Sequence, residues 1–268
     1  MTQGVRAGLR TSPEPIESVI YVCVPTHNEA STIGVLLWKT RNVLGEFARD
    51  YRLVVHDDAS DDDTANVLQR YRRSLPLTIL RSEERIGYGR SVELLLRHVR
   101  DEATYPKRDC AVVMQGDFTE SPDDVVTLVK TLEGGVDIVA GVVSSEGGHQ
   151  GRGRILARWA ATTFLRRAIA GAPVSDPLAG LRAYRVIVLK KALRDRAESD
   201  PLIRSDGWAA NVELLGRLAP HARRIAEVPL RLRYDLQTRP SRFSPWKTLV
   251  GLARLPGSMW SEPGAEAA

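Results

Sequence analysis

Three polar clusters, each closing a short apolar run, carry the residues able to do chemistry. Gln115-Gly116-Asp117 follows Ala111–Met114, His56-Asp57-Asp58-Ala59-Ser60 follows Tyr51–Val55, and Pro25-Thr26-His27-Asn28-Glu29 follows Val19–Val24. Carboxylates at the carboxyl ends of strands in an open α/β sheet sit where such sheets bind ligands. They can hold a cation or accept hydrogen bonds from a polar ligand. One such cluster is an ordinary polar loop. Three at corresponding strand ends converge on one crevice. Gly116 lets the chain turn and lets a ligand approach the backbone. Three further carboxylates, Asp176, Asp206 and Glu213, stand in the second half. Asp176 could cap the turn before Pro177.

The elements that must carry these residues alternate. Apolar spacing predicts helices from the Ser31 cap through Leu44, over Thr64–Arg73, Ser91–Arg100 and Asp123–Leu132, and over Ala209–Leu218. Ser121-Pro122 opens the fourth of these, with Asp123-Asp124 in its positive first turn. Strands are expected at Leu77–Arg81, Val136–Val143 and Ala226–Tyr234, with a turn-and-strand unit made by Ser175-Asp176-Pro177 and Gly180–Tyr184. Strand and helix in alternation predict a mainly parallel sheet covered by helices on both faces. The glycine- and arginine-rich stretch 147–154 reads as a loop. Helix 155–170 reads as core packing with a membrane surface as the alternative, and the tail 245–260, with Trp at its ends and basic residues, could also lie at such a surface.

The 268 residues carry a formal charge of +5, which favours anionic partners. The basic residues are not interleaved with stacking aromatics on one face, which argues against nucleic acid. Cys23 and Cys110 both fall inside apolar runs, so two reduced, buried thiols are expected rather than a metal site. No apolar run is long enough to span a bilayer. Residues 1–18 read as a flexible tail, 19–235 as the catalytic domain and 236–268 as a basic amphipathic tail. A cytoplasmic protein is expected, peripheral at the inner membrane face if its acceptor is a lipid.

Five segments, PTHNE (25–29), HDDASDDDT (56–64), VMQGDFTESP (113–122), SDPLAGLRAYR (175–185) and AEVPLRLRY (226–234), stand in the order found in inverting family 2 glycosyltransferases. The chain most resembles polyprenyl- and dolichyl-phosphate mannosyl- and glucosyltransferases, from about Val19 to Phe243. The resemblance implies the A-type, Rossmann-like nucleotide-sugar-binding fold. It implies hexose transfer from GDP-mannose or a UDP-sugar to a polyprenyl phosphate, with Mg²⁺ or Mn²⁺. Transfer to a hydroxyl or other small acceptor, for which Asp176, Asp206 and Glu213 in that order are the candidate bases, or nucleotide binding without turnover, are the alternatives. By the same resemblance Pro25, His27, Glu29, His56, Asp58, Gln115 and Gly116 hold the donor nucleotide. Asp117 is the metal ligand and, with Asp176, is assigned to catalysis. Arg154, Arg233, Arg239 and Arg242 hold phosphate, with Arg158 beside the first. Departures are plain: Gln115 replaces the first Asp of Asp-x-Asp, His27 replaces Tyr, Thr119 replaces Gln, and Val143 stands where an Arg is usual.

Overall fold

The computed structural model describes residues 18–47, 49–143, 173–197, 199–230 and 245–255. The expected phosphate ligands Arg154, Arg233, Arg239 and Arg242 lie outside them, as do Arg158, loop 147–154, helix 155–170, both termini and the end of the last strand.

Strands β1 (Val19–Thr26), β2 (Asp50–Asp58), β3 (Leu77–Ser82), β4 (Cys110–Val113), β5 (Ile138–Val143), β6 (Arg182–Arg185) and β7 (Ile225–Leu230) form one sheet in the order β3-β2-β1-β4-β6-β5-β7. Helices α1 (Ile33–Gly45), α2 (Thr64–Arg72), α3 (Tyr88–Glu102) and α4 (Pro122–Glu133) connect the early strands. Alternate residues of β1 supply the two cores. Ile20, Val22 and Val24 face α1, α2 and α4, while Tyr21 and Cys23 face α3. This is the period-two alternation of a sheet buried on both sides. Helices α5 (Val186–Ala192) and α6 (Trp208–Leu218) complete the second layer; α5 is too short to give a readable period.

The expected mainly parallel sheet is found, with one exception that matters. Strand β6 runs antiparallel to both neighbours, β4 and β5. An antiparallel strand is entered at the edge where its parallel neighbours end. Val113 pairs with Arg182, so the residues leading into β6 lie opposite those leaving β4. Segment 176–181 is thereby brought to the carboxyl edge.

Helix boundaries move by small amounts. Helix α1 starts at Ile33 with Thr32, not Ser31, at the cap position, and α3 begins at Tyr88. Ser121 caps α4 as expected, accepting from the Asp123 amide, with Pro122 at the first position. Part of the expected amphipathic tail is helix α7 (Pro245–Ala253), whose Leu252 is fully buried against Leu178, Ala209 and Val212. Burying one leucine contributes about 2 kcal/mol, so this face serves packing within the chain. Gly251 allows the approach: a Cβ there would lie 2.8 Å from that of Ala209. Among the described residues no helix is long and apolar enough to cross a membrane. Both cysteines are free and buried.

Candidate active site

The turns after β1, β2 and β4 are neighbours, because these three strands are adjacent in the sheet. Each turn holds one non-glycine residue in the left-handed region: Asn28 (φ 53°), Ala59 (φ 50°) and Phe118 (φ 64°). Such residues are uncommon and persist where surrounding contacts fix them. Here the contacts are explicit. The Asn28 amide donates to Ser60 Oγ at 2.9 Å, the Glu29 amide to Thr64 Oγ1 at 2.8 Å, and Asn28 Nδ2 to Asp61 Oδ1 at 2.5 Å. His27 Nδ1 lies 2.7 Å from the Asp58 carbonyl. The first two turns are thus sewn together.

Glu29 is 4 % exposed and reaches the third turn through Thr32, whose hydroxyl lies 3.1 Å from Glu29 Oε2 and 3.0 Å from the Gly116 carbonyl. Gly116 serves close packing. A Cβ on it would meet Thr26 Cγ2 at 3.0 Å, the Pro25 carbonyl at 3.5 Å and Glu29 Cγ at 3.6 Å. The turn itself comes from Phe118, not from Gly116 as expected. Pro25, His27, Glu29, Asp58, Gln115, Gly116 and Asp117 therefore gather at one edge.

Their side chains are not equally available. Asp58 accepts from the Ile86 amide at 2.7 Å and the Gly87 amide at 3.0 Å. Its carboxylate fastens the entry to α3, not the cap of α2. His56 is 1 % exposed, with Nε2 2.9 Å from Ser82 Oγ on β3. Burial holds its pKa below the usual imidazole range, so the ring is neutral at pH 7. Asp117 Oδ1 accepts from the Thr119 amide at 3.0 Å and is also met by the Thr119 hydroxyl.

Asp176 is buried at the same edge, where its Oδ1 accepts from the Leu178 amide at 3.3 Å. Its segment is held from three sides. Ser175 Oγ donates to Glu227 of β7 at 2.9 Å, Arg182 Nη2 donates to the Pro177 carbonyl at 2.5 Å, and Asn211 Nδ2 donates to the Leu178 carbonyl at 3.1 Å. Asp206 is exposed, with its carboxylate against the α3 start and 3.3 Å from the Gly89 amide. Glu213 accepts from the Arg204 and Ser205 amides, a supporting rather than a reactive position.

Glu120 was not foreseen. It is 3 % exposed and its Oε2 accepts from the Gln115 amide at 2.8 Å. Complete burial pushes its pKa up to about 8; the Gln115 amide opposes the rise, the Asp117 carboxylate adds to it, and the Leu181 amide opposes it again. A glutamate three residues after Asp117 looks like an exposed residue at the start of a helix. Only the fold reveals its neighbours.

The donor set suits a divalent cation held jointly with a ligand. Asp117 offers one carboxylate beside the Thr119 hydroxyl, and no cluster of three metal-ligating His, Cys, Asp or Glu occurs among the described residues. Mg²⁺ is commonly bound by one or two carboxylates plus substrate phosphates.

With this edge in view, comparison with known proteins is informative. Relatives include the undecaprenyl-phosphate 4-deoxy-4-formamido-L-arabinose transferases of Pseudomonas syringae pv. syringae (25 % identical over 208 residues, 76 % of this chain and 58 % of the relative) and Pseudomonas aeruginosa (23 % over 201 residues, 74 % and 56 %). The chain thus spans little more than half the length of these relatives. Among solved structures, the fold matches glucosyl-3-phosphoglycerate synthase of Mycobacterium tuberculosis, crystallised with Mn²⁺, UDP and glucosyl-3-phosphoglycerate (TM-score 0.57, 22 % identity, 88 % of this chain and 76 % of that one). It also matches TarS of S. aureus (TM-score 0.52, 17 % identity, 78 % and 57 %). Residues 21–193 match glycosyl transferase family 2, a stretch that takes in all three turns and the Asp176 segment, and the chain belongs to that family.

Proposed function

We propose that this protein transfers a sugar from a nucleoside diphosphate sugar to a polyprenyl phosphate, inverting the anomeric carbon. The observation that carries the reading is the convergence of Glu29, Asp58, Asp117 and Asp176 on one sheet edge through four separate chain segments. The names of the relatives support the acceptor, and the Mn²⁺- and UDP-bound neighbour supports the donor class. The donor base is read as uracil or guanine, with GDP-mannose and UDP-hexoses as the sugars to try first.

In this reading the nucleoside lies over the turns after β1 and β2, near His27 and the Asp58–Gly87 contact. The diphosphate lies toward Asp117, with Gln115 at its flank. A divalent ion held by Asp117 would supply charge stabilisation to the leaving diphosphate. Residues Arg154, Arg233, Arg239 and Arg242 are proposed to hold the donor or acceptor phosphates, as arginine suits bidentate phosphate contacts. A phosphate acceptor is anionic at neutral pH and needs no base to attack. A hydroxyl acceptor would need one, and the buried carboxylate of Asp176 in the lead into β6 supports this as a second reading.

The test is to incubate the purified chain with Mn²⁺ and a panel of UDP- and GDP-sugars, with and without polyprenyl phosphate in vesicles. Lipid-linked sugar is the expected product. Nucleoside diphosphate release that polyprenyl phosphate never stimulates, together with stimulation by a hydroxyl acceptor, would replace the first reading with the second.

A further inference from the structure

The turn after β4 and the lead into β6 carry two acids of the proposed site, Asp117 on the donor side and Asp176 as the candidate base for a hydroxyl acceptor. Something must fix the distance between them. Strand pairing does so only up to Val113 and Arg182. Beyond that register the main link is Glu120. Its Oε2 takes the Gln115 amide at 2.8 Å, and the Leu181 amide acts on the carboxyl from the β6 side. Gly180 leaves the room for it. A Cβ on Gly180 would lie 3.0 Å from Glu120 Oε1, 2.9 Å from Gln115 Nε2 and 3.5 Å from the Tyr88 hydroxyl. Tyr88 in turn donates to Asn211 Oδ1 at 2.9 Å, and Asn211 holds the Leu178 carbonyl. The bare face of Gly180 is therefore where polar groups from β4, α3 and the Glu120 turn meet.

We propose that Glu120 is a positioning residue for the reaction: it clamps the Gln115–Asp117 turn to the Gly180–Leu181 backbone and so sets the donor-side acid against the acceptor-side segment. Burying a carboxyl is costly, and a well-packed apolar side chain would serve stability as well or better. A group retained at that cost, spanning two chemically distinct halves of a site, serves geometry. Displacement of reacting groups by about 1 Å costs up to a hundredfold in rate. In the reading proposed above the nucleoside is held through His27 and Asp58, from the turns after β1 and β2 and not from the turn that Glu120 fastens. The inference rests on the reading of the site given above.

The test uses E120D, which withdraws the carboxyl by about 1.5 Å, and G180A, which crowds it from the opposite side. Each is compared with the parent and with D117N for sugar transfer, donor hydrolysis by water, thermal midpoint and nucleoside diphosphate affinity with Mn²⁺. In E120D we expect transfer to fall at least tenfold, with affinity within threefold of the parent and the ratio of transfer to hydrolysis lowered. G180A should show the same pattern in a chain that keeps the carboxyl, and it carries the test if E120D does not fold. Transfer within twofold of the parent in either folded variant, with D117N inactive, overturns the proposal. Equal losses in transfer, hydrolysis and affinity overturn it too, because they mark a general loosening. Parent and D117N turning over donor at the same rate would instead remove the site reading beneath it.

Discussion

Glu93 is the buried charge on which the wall behind the site depends, and replacing it gives a sharply defined expectation. The side chain is 1 % exposed on α3 and each oxygen has two donors. Oε1 accepts from Arg97 Nε at 2.8 Å and the Leu202 amide at 2.9 Å, and Oε2 accepts from Arg90 Nη1 at 2.8 Å and the Ile203 amide at 3.0 Å. Burial would raise its pKa, but the Leu202 and Ile203 amides with Arg97 and Arg90 outweigh it and hold the carboxyl below its usual range. In Glu93→Gln an amide NH₂ faces donors, and Arg97, 6 % exposed, loses its counter-charge. Breaking one partner of a buried pair costs about 3–5 kcal/mol, a large share of the roughly 5–15 kcal/mol available to a domain. A folded-state pKa that is lowered contributes stability above the unfolded value and loses it as pH falls through the folded one. Urea unfolding at pH 7 and pH 4 is the assay. We expect a loss of about 3–5 kcal/mol at pH 7 that shrinks toward pH 4. A loss under about 1 kcal/mol at pH 7 would refute the claim that this carboxylate carries the 202–203 segment.

Further expectations follow from single contacts. A Cβ on Gly89 would lie 2.3 Å from the Ser205 carbonyl, a backbone atom that cannot swing aside, so Gly89→Ala should lower the thermal midpoint by several degrees; an unchanged midpoint would mean this approach is not needed. Cys23 and Cys110 are 0 % and 3 % exposed, and burial pushes the Cys110 thiol up to about 12, so neither should react with a thiol reagent until the chain unfolds. Labelling of the native protein at a rate above that of unfolding would contradict their placement. Glu120 has a folded pKa of about 8 against 4.5 for an unperturbed glutamate, so its stabilising term is complete below pH 4.5 and fades as pH rises through 8. Unfolding free energy should decline across that window, by at most about 5 kcal/mol, and the decline should be absent in E120Q. The same slope in E120Q would assign it to another group.

The strands and helices that build this sheet edge were legible because β1, β2 and their helices have clean periods and sharp polar stops. The fold family was legible because five motifs hold their order. What escaped was long-range. The antiparallel β6 has only four residues, and nothing local in Arg182–Arg185 states its direction. Yet that direction is what brings the lead into β6 to the edge where β4 ends. Thr32 stands at the cap position expected for Ser31 and spends its hydroxyl between Glu29 and Gly116. His56 and Asp58 share one face of β2, yet the imidazole meets Ser82 of β3 while the carboxylate takes the Ile86 and Gly87 amides. Glu120 sits in a polar run indistinguishable from a helix start. In each case the missing information was which distant backbone would meet the side chain.

The central claim is that Asp117 lies where a nucleoside diphosphate and a divalent ion meet. Calorimetric titration of UDP and of GDP into the native chain and into D117N, each with and without Mn²⁺, addresses it most directly. We expect at least one nucleotide to bind the native chain more than tenfold tighter with the metal, and that gain to vanish in D117N. A metal-dependent gain of equal size in both proteins would contradict the account.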